Sequence, residues 1–149
     1  MKTTIIGLLL LATASVNAQE KAQTYQLADA PRYSEETGYG YDLVATPEKG
    51  SKAPFFFSVR VPDGNYQVTV RLGSKKQAGV TTVRGESRRL FIDNLATKKG
   101  QFVDETFIIN KRNPRISEKE SVRIKPREKA KLNWDDKLTL EFNGDAPVC

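Results

Sequence analysis

The chain has 149 residues, with 24 Lys plus Arg, 18 Asp plus Glu and no histidine, giving a net charge of +6. With 38% hydrophobic residues it can bury a core, so a wholly disordered chain is excluded. The absence of histidine excludes a serine–histidine mechanism within this polypeptide and removes the commonest ligand of catalytic zinc.

Met1-Lys2 is a short basic start, followed by the Leu-rich apolar run Ile5 to Ala12, broken only by Gly7. Val16-Asn17-Ala18 then puts small residues at the −3 and −1 positions of a cleavage site. Residues 1–18 are therefore expected to be a signal peptide, and 19–149 a single secreted or periplasmic domain. The apolar run falls well short of the roughly 20 residues of a spanning helix, so no membrane anchor is expected. No cysteine follows the run to carry a lipid.

Gln19 to about Ala30 is a polar lead-in. "PRYSEETGYGYD", Pro31 to Asp42, reads as a purposeful loop or a short edge strand, and "PEKGSKAP" as a turn and linker. In "FFFSVRV" the period of two puts Phe55, Phe57, Val59 and Val61 on one face. Pro62-Asp63-Gly64 supplies a tight turn, and Tyr66, Val68, Val70 and Leu72 form what reads as the second arm of a hairpin. Further strands are expected at Val80–Arg84 and Arg88–Asp93. Others are expected in "QFVDETFIIN", in "SVRIKP" (Val122 with Ile124), and in "KLTLEFNG", where Leu138, Leu140 and Phe142 share a face. No helical periodicity of useful length appears. Short strands at this spacing predict an all-β, antiparallel β-sandwich of jelly-roll type, with a barrel as the main alternative.

Three segments, "PFFFSVRVPDGNYQVTVRLG", "AGVTTVRGESRRLFIDN" and "NWDDKLTLEFNGDAP", resemble in order the N-terminal domain of secreted bacterial SGNH (GDSL-type) hydrolases of the rhamnogalacturonan acetylesterase-like group. The resemblance spans about Gly38 to Cys149. It implies a galactose-binding-like sandwich standing ahead of a catalytic SGNH domain that deacetylates pectin-derived polysaccharide. On that reading "LEFNGDAPVC" stops where a following strand would begin, and the chain is expected to be the N-terminal part of a longer hydrolase. The single cysteine, Cys149, would then be a small buried side chain rather than half of a disulfide.

The serine, glycine and asparagine constellation of such a hydrolase is not found, and Asn143-Gly144-Asp145 runs into Ala146. The expectation is a non-enzymatic chain: an accessory module of a carbohydrate esterase, supporting the catalytic domain or touching acidic polysaccharide. The alternatives are an independent carbohydrate-binding module or a protein-binding, adhesion-type sandwich. The adjacent pairs Asp135-Asp136 and Glu35-Glu36 would point to opposite faces of a strand, which does not suit glycoside hydrolysis.

Candidate ligand contacts are Tyr39 and Tyr41, on which sugar C–H faces would stack; otherwise these rings cover the core. Arg84, Arg88 and Arg89 would grip galacturonate carboxylates, clamp a catalytic domain, or form surface pairs with Glu86. Trp134 would be a sugar platform or a ring packed at a sheet end. Asp42 and Glu48 flank a loop that would suit a structural calcium ion. The basic runs "KKGQ", "NKRNPR" and "KPREKAK" lie on separate turns without interleaved aromatics, so nucleic acid is not an expected partner.

Overall fold

The computed structural model describes residues 22–43, 54–86, 88–126 and 134–144. The expected leader, Glu48 and Cys149 lie outside these residues. Seven strands are found among them: β1 (Tyr39–Asp42), β2 (Phe55–Arg60), β3 (Gly64–Gly73), β4 (Gly79–Gly85), β5 (Arg89–Thr97), β6 (Phe102–Lys111) and β7 (Lys137–Asn143). The lead-in carries one 3-10 turn, Leu27–Asp29. Five strands form one antiparallel sheet in the order β1-β2-β7-β4-β5, and β3-β6 form a second. The fold is an all-β sandwich.

Alternation explains the core. In β2 and β7, Phe55 lies opposite Phe142, Phe57 opposite Leu140 and Val59 opposite Leu138, so one face of both strands is apolar. Phe55 and Phe142 stack with centroids 4.9 Å apart. Leu72, Val83 and Ile109 are fully buried beside them. Burial of side chains of this size contributes about 1.5–3 kcal/mol each. Phe91 of β5 stacks on Phe107 of β6 at 4.4 Å and ties the two sheets together.

The sequence predicts β2 and β3 as the arms of a hairpin, but they lie in different sheets: β2 pairs with β1 and β7, and β3 pairs with β6. Pro62 and Gly64 do mark a change of direction, and the Tyr66 hydroxyl donates to the Pro62 carbonyl at 2.7 Å. The local turn reverses the chain, but it does not choose the partner. Each strand has one apolar face, and both faces contribute to the core between the two sheets. The "SVRIKP" strand is also absent. Residues 121–126 make only an isolated bridge, Arg115 to Ser121, and Val122 N–H donates to the Pro114 carbonyl at 2.7 Å. Pro114 and Pro126 flank this segment, and proline cannot donate to a ladder.

Candidate functional site: an aromatic cleft at the β1 edge

β1 is the outermost strand of the larger sheet, and the lead-in runs beside it. The sequence "SEETG" folds as a tight turn before β1. The Ser34 hydroxyl accepts the Thr37 N–H at 3.1 Å, and the Thr37 hydroxyl oxygen accepts the Ser34 N–H at 3.2 Å. Short polar side chains that satisfy neighbouring backbone groups favour such turns. Gly38 follows at φ +70, its N–H bonded to the Ser34 carbonyl. Gly40, at φ +141, lets the backbone of residues 31–33 press against β1. There the Tyr33 N–H donates to the Tyr41 carbonyl and the Tyr41 N–H to the Pro31 carbonyl, both at 2.8 Å.

The result is an open cleft of about 540 Å³ lined by Gln23, Thr24, Tyr25, Thr37, Gly38, Tyr39 and Arg60. The rings of Tyr25 and Tyr39 are 4.9 Å apart and tilted by 44°. Tyr25 also leans on Phe57, so the pair is anchored to the core. Its hydroxyl donates to Gln23. Burial, and then the neighbouring Tyr39, push the Tyr25 hydroxyl above the usual phenol range, which keeps it neutral. At the other wall Arg60 pairs with Glu35 and, through Nε, with Asp136 at 3.4 Å. Its Nη1 donates to the Glu35 carbonyl at 3.2 Å. The cleft therefore offers aromatic faces, an amide and hydroxyls, arranged on a rigid sheet edge.

Of the residues singled out from sequence, Tyr39 lines this cleft. Tyr41 does not. It is in the core at 6% exposure, its hydroxyl donating to the Leu27 carbonyl at 2.7 Å. Both tyrosines are on the same face of β1, and the lead-in at Leu27 covers Tyr41. Tyr41 lies opposite Phe57 in the sheet and meets the rings of Phe55 and Phe57 edge-on. Trp134 is half-buried at φ +69, with the Arg112 guanidinium 4.6 Å above its ring.

The three arginines do not form one patch. Arg84 pairs with Glu141 at 3.3 Å on the outward face of the larger sheet. Arg89 is in register with Gly85, whose face meets Ile109, and so it points the other way. It reaches the Asn110 carbonyl at 3.2 Å. Arg88 is exposed in the β4–β5 turn at φ +93.

Asp42 is held by Lys137 at 2.6 Å and by the Ser58 hydroxyl at 2.9 Å. Burial pushes its carboxyl up, but the hydrogen bonds from Lys137, Ser58 and the Leu43 N–H outweigh this and hold it below the usual carboxylate range. Among the described residues no cluster of three or more acidic, histidine or cysteine side chains could hold a metal ion.

Sequence reasoning missed Tyr25 and Arg60. A usable signal for Tyr25 was the alternation of Tyr25 and Leu27 in the lead-in, since both rest against the core. Arg60 closes a strand of six, and nothing in its neighbours announces Glu35, 25 residues away. No family model, curated protein or solved structure matches this chain.

Proposed function

We propose that this chain is a non-catalytic, carbohydrate-contacting β-sandwich of galactose-binding-like type. It serves as an accessory module beside the catalytic domain of a secreted carbohydrate esterase of the rhamnogalacturonan acetylesterase-like SGNH group. The observation that carries the reading is the cleft at β1, where Tyr25 and Tyr39 stand beside Gln23 and Thr24 on an open surface. Sugar sites are built of such parts, because aromatic faces take C–H groups while amides and hydroxyls meet the ring hydroxyls. The link to an esterase rests on the three resembling segments. The lack of histidine supports an accessory role, with the bond-breaking groups on another domain.

The test is retention of the whole chain on insoluble pectin. Tyr39→Ala and Tyr25→Ala are each expected to weaken retention roughly fivefold to tenfold, about 1 kcal/mol or slightly more. Far-UV circular dichroism should be unchanged. Retention equal to wild type in both folded variants would remove the cleft from consideration.

A further inference from the structure

The charges around the cleft say what kind of sugar belongs there. Arg60 is the cleft's one basic lining residue among those described. Each of its three guanidinium nitrogens already has an acceptor. Nε faces Asp136, Nη1 donates to the Glu35 carbonyl, and Nη2 meets the Glu35 carboxylate. A bidentate grip on an incoming carboxylate needs two neighbouring N–H groups free of other acceptors. Three of its five N–H donors are engaged in this way, so an incoming uronate would have to share the guanidinium with Glu35 and Asp136 and stand close to both carboxylates.

The local balance is also unfavourable to an anion. One guanidinium faces two carboxylates, all within a Debye length of the cleft, which is about 8 Å at physiological salt. Both carboxylates are on the surface, with Glu35 76% and Asp136 61% exposed. The tyrosine hydroxyls bring no positive charge. What remains for a ligand is the two rings, the Gln23 amide and the Thr24 hydroxyl.

We infer that the β1 cleft takes a neutral, hydroxyl-rich sugar and discriminates against uronates. Arg60 serves as a positioning residue, pinning the Ser34–Thr37 turn through Glu35. This rests on the polysaccharide reading above. It turns the ligand away from the galacturonate backbone of pectin and toward neutral side chains.

Titration of the full chain with galactotetraose and with tetragalacturonate, followed by amide chemical shifts of Tyr25 and Tyr39, tests it. Galactotetraose should shift both residues, and tetragalacturonate should bind roughly tenfold more weakly, with the gap shrinking as salt is raised. The doubly neutralised variant Glu35→Gln with Asp136→Asn changes only exposed groups and should narrow the gap. Tetragalacturonate binding at Tyr39 as tightly as the neutral sugar would overturn the inference and leave the polysaccharide reading standing. If neither sugar moves Tyr25 or Tyr39, both fall. A gap unchanged in the neutralised variant would show that these two carboxylates do not set the preference.

Discussion

Glu86 and Thr139 grip each other twice. The Glu86 N–H donates to the Thr139 carbonyl at 3.1 Å, and the Glu86 carboxylate accepts the Thr139 N–H at 3.0 Å. A side chain thus finishes a ladder that the backbone of β4 leaves at Gly85. The cost is a carboxyl at 6% exposure and a backbone at φ +45. Burial raises the Glu86 carboxyl to about 7 against the ordinary 4.5, with the hydrogen bond from Thr139 opposing and Asp135 adding to the rise.

The sign of the resulting pH dependence follows from proton counting. Between the unfolded and folded values the native chain holds a proton that the unfolded chain has lost. Stability contributed by this site is therefore full below pH 4.5 and falls as pH rises through about 7. Urea midpoints across this range should show the fall in the wild type, on the order of 3 kcal/mol from this group. Glu86→Gln, which keeps an acceptor for Thr139 but cannot ionise, should flatten it. A wild-type-like slope in Glu86→Gln would assign the titration to other groups.

Asp42 and Lys137 stand at the opposite sign. The lowered Asp42 carboxyl contributes stability that is present above its ordinary value of 3.8 and is lost as pH falls through its folded value. Asp42→Asn leaves the Lys137 ammonium half-buried and without its counter-ion, and should cost about 1–3 kcal/mol in chemical denaturation. Adding Lys137→Met to that variant should recover part of the loss, because no charge is then stranded. Simple additivity of the two single losses would dismiss the coupling. With Asp42 committed to Lys137, calcium and a chelator are expected to give the same melting temperature.

Gly40 is the tightest backbone contact beside the cleft. A Cβ at this position would lie 2.3 Å from the Pro31 carbonyl oxygen and 2.7 Å from the Tyr33 nitrogen, at φ +141. Gly40→Ala should therefore destabilise by roughly 2 kcal/mol or more, through both clash and backbone strain. It should also weaken sugar retention, because the segment carrying Tyr33 must move away from β1. A neutral outcome in thermal unfolding would mean that the loop relaxes freely.

Much of the architecture could be read from alternation alone. β7 is the clearest instance: Leu138, Leu140 and Phe142 were legible as one face and are all buried. What alternation does not carry is partnership. The pattern of β2 and that of β3 are each satisfied by any apolar surface, so nothing local told that they would join different sheets. The site was half legible. Tyr39 and Tyr41 look equivalent in "GYGYD" and share a face of β1, yet the lead-in covers Tyr41 and leaves Tyr39 at the cleft. Only the three-dimensional course of residues 22–30 distinguishes them.

The position of β7 between β2 and β4 has a temporal consequence. The strand nearest the end of the described chain is the one that joins the early strands to the middle ones. Until Lys137–Asn143 is available, β1-β2 and β4-β5 are two separate ribbons with no strand to join them in one sheet. Pairings this distant in sequence form slowly. In a polypeptide growing from its N-terminus the larger sheet therefore stays in two parts until Lys137–Asn143 has been made.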